Sequence, residues 1–243
     1  VSVLITNKLN GLSDSGATSY ATASWTPSAN TLYFASVVTR TGITADPTQP
    51  TASGNGLTWV VVASIVFDNT SSSRRRVTLF RAMGASPTTG ALTFDEAGQS
   101  QTNAEWSIEE ITGTDLTGTN GSGAIVQFVT NFDASGTALS LAATLAAFSS
   151  VNNATFGTFG AGSAGGATTA GSGFTKLADV VGSTSTKVCT EWKAANSTTV
   201  DFTNDTTAEL CVIAVEIKAA VATTSLPPAE RRYLAAVGRA GSY

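Results

Sequence analysis

At 243 residues the chain is long enough for one large all-β domain or two small ones, and a hydrophobic content of 42% makes it globular and not disordered. Charged residues make up only 12%, the net charge is −4 and the pI is about 4.8, which argues against general nucleic-acid binding. Histidine is absent, so Ser-His-Asp and Cys-His hydrolysis and the common His-containing zinc sites are excluded.

The chain opens on Val1-Ser2-Val3-Leu4, with no basic region followed by an apolar stretch, so no signal peptide is expected. No apolar run reaches the length of a membrane span, and no membrane partner is expected. Strand signals then follow in order. Tyr20 to Thr26, Thr31 to Thr39, Thr58 to Phe67, Arg76 to Ala82, Ala91 to Phe94 and Ala104 to Thr112 are rich in β-branched and aromatic residues. Thr41 to Gly56, with Pro47 and Pro50, reads as a long loop between them. Arg74-Arg75-Arg76 is the densest charge run, and the reading preferred here is a solvated strand edge, with an acidic partner surface as the alternative. Asp95-Glu96 and Glu109-Glu110 resemble paired carboxylates. Neighbours in a strand point to opposite faces, so neither pair forms a cleft and no catalytic residue is expected.

After the turn Gly118 to Gly123 come Ala124 to Thr130, Thr155 to Phe159, Phe174 to Val181, Thr186 to Ala194, Thr199 to Thr203 and Glu209 to Ala219. The Gly-rich stretch Gly157 to Gly173 lacks the Gly-Lys-Ser/Thr ending of a phosphate loop and reads as a surface loop. Ala138, Leu141, Ala142, Leu145 and Phe148 fall on a helical stripe, yet Ser140 to Leu145 matches the strand Ser19 to Trp25 in an internal repeat. That repeat runs the length of the chain. Thr6-Asn7 is answered by Thr130-Asn131, Gly56-Leu57-Thr58 by Gly173-Phe174-Thr175, and Phe80-Arg81-Ala82 by Trp192-Lys193-Ala194. Ala104-Glu105-Trp106 and Ile108 are answered by Ala208-Glu209-Leu210 and Val212. The shared order, not any single pair, carries the inference of a duplicated strand set.

Cys189 and Cys211 take opposite phases in their strands. Cys211 shares a face with Ile213, Val215 and Ile217, and Cys189 with Lys187, Glu191 and Lys193. Two free thiols are expected, Cys211 in the core and Cys189 facing outward. Trp25, Trp59, Trp106 and Trp192 read as core residues in preference to a sugar-stacking platform. Past Val221 the character changes. Leu226-Pro227-Pro228 reads as the end of a linker, and Ala229 to Val237 are expected to form a short helix with proline at its start. Such a helix is marginal alone, so Arg231, Arg232, Tyr233, Leu234, Val237 and Arg239 are candidate docking residues, expected to serve assembly more than stability.

The fold expected is all-β: a jelly-roll-like β-sandwich over residues 1–220, with pseudo-two-fold halves at about 1–117 and 124–220, plus a C-terminal tail at 221–243. Asn55-Gly56-Leu57-Thr58-Trp59, Arg76 to Ala82, Trp106 to Gly113 and Ala170 to Thr175 occur in an order that resembles β-sandwich proteins of tailed bacteriophages, prophages and bacterial surfaces. The resemblance spans about Thr18 to Lys218, and its motifs mark strands without carrying over a catalytic residue. It implies a virion or surface structural role. The expectation that follows is a non-enzymatic capsid decoration protein, made in the host cytoplasm and localised to the virion. Its partners would be the major capsid protein or neighbouring copies, in a homo-oligomer or lattice, with no nucleic acid, metal or cofactor. The alternative is a tail or fibre adhesin binding host glycans through the loops Thr41–Gly56 and Gly157–Gly173.

Overall fold

The computed structural model describes residues 2–68, 73–162, 166–183 and 186–221. They form an all-β sandwich of antiparallel sheets. In chain order the strands are β1 (Leu4–Ser13), β2 (Ser19–Ala21), β3 (Leu32–Arg40), β4 (Thr51–Gly54), β5 (Leu57–Thr58), β6 (Val60–Asp68), β7 (Arg75–Ala82), β8 (Leu92–Asp95) and β9 (Asn103–Thr112). A single 3-10 turn at Ser122–Ala124 leads into β10 (Ile125–Thr144), β11 (Ala154–Ala161), β12 (Thr168–Ala170), β13 (Thr175–Val181), β14 (Lys187–Lys193) and β15 (Thr199–Ile217).

The first half builds a sheet in the order β1-β9-β3-β7-β6, and the second builds one in the order β10-β15-β11-β14-β13. These orders are the same under the pairing of β1 with β10, β9 with β15, β3 with β11, β7 with β14 and β6 with β13. The packing between the sheets obeys the same exchange. β1 lies against β13 as β10 lies against β6, β9 against β13 as β15 against β6, and β3 against β14 as β11 against β7. Phe34 of β3 and Phe156 of β11 meet edge to face across the middle with ring centroids 5.0 Å apart. Residues on equivalent strands touch each other only beside a two-fold axis. The sequence echo therefore has its spatial counterpart, and one core joins the halves: Leu32, Phe34 and Leu79 pack with Phe156, Ile213 and Val215.

Each sheet is also covered on its outer side. Over the first lies a small sheet, β2-β8-β4-β5, which buries Tyr20, Trp25, Leu92 and Phe94 against Tyr33, Phe80 and Trp106. Over the second, the same roof is made by strands that do not break. β10 and β15 run on past irregularities near Asp133–Ala138, and their far segments pair as Leu141 with Phe202 and Val200 with Ala143. β12 joins them through Ala170 opposite Phe202, as β4 joins β8 through Ala52 opposite Phe94. Because both faces of the middle strands are covered, β3 is buried from Leu32 to Thr39, which the alternation rule for half-exposed strands does not anticipate.

Ser140 to Leu145 is a strand as far as Thr144, as the repeat indicates, and not a helix. The roof corrects several other expectations. Gly157 to Gly173 is not one surface loop, because its first residues lie in buried β11 and Thr168–Ala170 form β12. The end of the Thr41–Gly56 segment likewise forms β4 and the turn into β5. Both cysteines are free and lie on opposite faces, Cys211 toward the centre, but Cys189 is buried beneath the roof and not exposed. Lys187 and Glu191, expected outward with it, are also buried. The C-terminal helix and the candidate docking residues Arg231, Arg232, Tyr233, Leu234, Val237 and Arg239 lie outside the described residues.

Candidate interaction surface

The carboxylates singled out by sequence do not converge. Glu109 points between the sheets, where it accepts hydrogen bonds from Ser107 Oγ and Thr190 Oγ1, the latter at 2.8 Å. Glu110 points the other way and accepts from Tyr33 Oη at 2.8 Å, Ser28 Oγ at 3.1 Å and Lys8 Nζ at 3.1 Å. Burial pushes the Glu109 carboxyl up to about 7. Glu96 is fully buried, neither of its oxygens has a hydrogen-bond partner, and desolvation raises it to about 8 despite the nearby Arg76. Glu105 and Glu191 are raised to about 8 by the same cause. Glu105 and Glu109 lie four residues apart on the inner face of β9, and Glu96 and Glu191 lie apart from them on the outer sides of the sheets. Among the described residues no group of three or more acidic or cysteine side chains is arranged to hold a metal ion.

The arginine run is neither a solvated edge nor an outward patch. Arg75 turns inward, pairs with Asp68 and lies 3.8 Å from Glu209 of the other half. Arg76 turns to the roof, where Nε donates to the Pro47 carbonyl at 2.7 Å and a terminal nitrogen donates to Ser64 Oγ at 3.0 Å. Arg74 pairs with Asp46 at 2.5 Å. The cause is strand alternation in a double-covered sheet, where both directions lead into protein. Together with Gln99, which accepts from the Thr48 N–H at 2.5 Å and donates to the Asp46 carbonyl at 2.9 Å, these arginines pin the segment from Asp46 to Thr48. Three tryptophans, Trp25, Trp59 and Trp106, are buried under the first roof, and Trp192 packs against the central core. All four serve packing.

Among the described residues, β10 presents an open edge to a partner. It is the terminal strand of its sheet, with one hydrogen-bonding edge facing away from it. Val126, Phe128 and Phe132 recur at even positions along it and are 41%, 49% and 44% exposed. Phe128 stands opposite Val215 and Phe132 opposite Cys211, so the row continues the apolar inner face past the cover of β6. Within its 20 residues β10 carries no lysine, arginine or proline. Those are the residues by which edge strands discourage pairing with another chain. Of the other edges, β1 carries Lys8 and β13 carries Lys176, while β6 carries no such residue but has no exposed side chain along its length. Alternation of Val126, Phe128, Thr130 and Phe132 was the available sequence signal. The strand expected at Ala124 to Thr130 is only the first part of this edge, which runs on to Thr144.

A shallow cavity of about 250 Å³ lies where the chain reaches Val221, lined by Ser149, Ser150, Asn152, Asn153 and Lys218 to Val221. Its floor is set by Asn153, which donates to Glu216 at 2.6 Å and accepts from the Ala219 N–H at 3.1 Å. Lys218 is held 2.6 Å from Asp115 at the rim. The cavity is below the size of usual small-molecule sites and holds no converging set of unpaired polar groups. Comparison with protein-family models, curated proteins and solved structures finds no match to this chain.

Proposed function

We propose that the protein is a non-enzymatic structural component of a virion, a capsid decoration protein of a tailed phage, that docks through the β10 edge. The observation that supports this reading is the half-exposed row Val126, Phe128 and Phe132 on a strand edge without lysine, arginine or proline. A rigid double-roofed body presents that row, and burying it against the shell or a neighbouring copy removes apolar area from water while pairing the open edge. The low charge content suits dense packing among protein copies. The tail sequence, with three arginines on an acidic chain, supplies a second attachment to an acidic shell.

The test is a Phe128→Asp/Phe132→Asp variant added to particles that lack the protein. Both side chains are near half exposure, so the melting temperature should move little, whereas incorporation should fall at least tenfold. Undiminished incorporation would remove the β10 edge from the interface. Absence of the wild-type protein from particles imaged by electron microscopy, combined with binding on a glycan panel, would favour the adhesin instead.

A further inference from the structure

Lys187 is the one lysine among the described residues that is wholly buried, with 0% exposure. It stands on the outer face of β14, under the roof made by β12 and the first part of β15. Its Nζ donates to the Gly166 carbonyl at 2.7 Å, Thr168 Oγ1 at 3.1 Å and Asn204 Oδ1 at 3.0 Å. Every one of these acceptors is neutral. An ammonium there would be desolvated with no carboxylate in direct contact, an arrangement that favours the uncharged amine. Burial accordingly lowers the Lys187 pKa, with Asp179 the strongest opposing charge.

Asn204 is equally enclosed, at 1% exposure. Its amide nitrogen donates to the Thr206 carbonyl at 2.7 Å, which turns Oδ1 toward the lysine. A carbonyl bond of about 1.2 Å then places the Asn204 Cγ within roughly 4.2 Å of Nζ. Asp179 completes the group. It stands opposite Cys189 in the β13–β14 pair and so shares the outer face with Lys187. Thr168 bridges the two, because its N–H donates to Asp179 Oδ2 at 3.1 Å while its Oγ1 accepts from Lys187. The other Asp179 oxygen is buried with no hydrogen-bond partner.

We propose that Lys187 and Asn204 join in an intramolecular isopeptide bond, with the Asp179 carboxyl carrying the proton between them. The Nζ lone pair of the neutral amine attacks Cγ of the carboxamide and forms the new C–N bond. Asp179, one residue removed across Thr168, takes the proton that leaves Nζ through the Thr168 hydroxyl, and the collapsing adduct returns it to Nδ2. The Cγ–Nδ2 bond breaks, and ammonia leaves. One amine and one primary amide become one secondary amide and one ammonia, with no oxidant, reductant or further reactant. The reacting groups are held side by side by the fold, which replaces a bimolecular encounter with a small displacement. A desolvated lysine is the activated form of that nucleophile. In the product the remaining N–H still has the Gly166 carbonyl or Thr168 Oγ1 to donate to, and no buried charge is left. The bond would fasten the roof strand β15 to β14 of the main sheet. The inference does not depend on the virion reading.

Intact mass of the full chain, measured after denaturation, decides the matter. The wild-type protein should weigh about 17 Da less than its sequence, the mass of one ammonia. A tryptic digest should yield a branched peptide joining the segments around Lys187 and Asn204, uncut after Lys187. Lys187→Arg and Asn204→Ala should each restore the full mass, and Asp179→Ala should leave most molecules unreacted. A wild-type protein that keeps its full sequence mass after prolonged incubation in the folded state overturns the proposal. So does a 17 Da deficit that persists in Asn204→Ala. Because the first measurement uses the unaltered chain, instability of a variant does not blur the result. A deficit unaffected by Asp179→Ala would overturn the role given to that carboxyl.

Discussion

Arg75 shows how a single side chain takes its role from the layer it enters. Its guanidinium pairs with Asp68, which is fully buried, and reaches Glu209 across the sheets. Desolvation lowers its pKa, while Asp68 and Glu209 oppose the shift. Such a buried pair adds little net stability, because taking both charges out of water cancels most of their attraction. Breaking it is another matter. Arg75→Ala takes the guanidinium from Asp68 and should cost about 3–5 kcal/mol in a denaturant melt. Adding Asp68→Asn should recover a large part of that loss, since the buried charge goes with it. If Arg75→Ala costs under ~1 kcal/mol, the size of an exposed pair, the interior placement is wrong.

At the scale of the element, the strand order and the duplicated plan were legible because both live in local patterns. β-branched runs mark strands, and the ordered echoes at Thr6/Thr130, Phe80/Trp192 and Ala104/Ala208 align β1 with β10, β7 with β14 and β9 with β15. What stayed hidden were the roofs. Whether the outer face of β14 meets water or protein depends on β12 and the first part of β15, which reach Lys187 through Thr168 and Asn204, 19 and 17 residues away in sequence. Lys187 and Glu191 carry charge and so read as exposed, although tertiary cover makes them interior. The same blindness concealed the Lys187–Asn204 contact and the inward turn of Arg75. The repeat also makes a quantitative claim. Phe34 and Phe156 should be coupled, because they meet at the junction of the halves with centroids 5.0 Å apart. Each change to Leu leaves an imperfectly filled core. In a double-mutant cycle, an interaction energy of about 0.5–1.5 kcal/mol is expected for an edge-to-face pair. Strict additivity would mean that the sheets do not share this contact in solution.

For the molecule as a whole, the buried acids set the response to pH. Glu96, Glu105 and Glu191 are raised to about 8 and Glu109 to about 7, in each case chiefly by desolvation, against an ordinary value of 4.5. A carboxyl raised in the folded state binds its proton more tightly there than in the unfolded chain. Its contribution is therefore fully present below about pH 4.5 and is lost as pH rises through 7 to 8. Within that window each such group lowers stability by up to about 1.4 kcal/mol per pH unit. Asp115 acts in the opposite sense. Hydrogen bonds from Lys218 and Thr117 lower it to about 2, so its contribution is present above its ordinary value of 3.8 and is lost as pH falls toward 2. The stability maximum should consequently lie at about pH 4 to 5, with a decline that runs from there to about pH 8. Calorimetric melts across that range measure it directly. Glu105 and Glu191 sit in different layers, so their effects should be nearly additive, and Glu105→Gln with Glu191→Gln should flatten the alkaline limb while leaving the melt at pH 5 little changed. A melting temperature higher at pH 9 than at pH 5 would show that these carboxylates are hydrated or paired in solution and not sealed between the sheets.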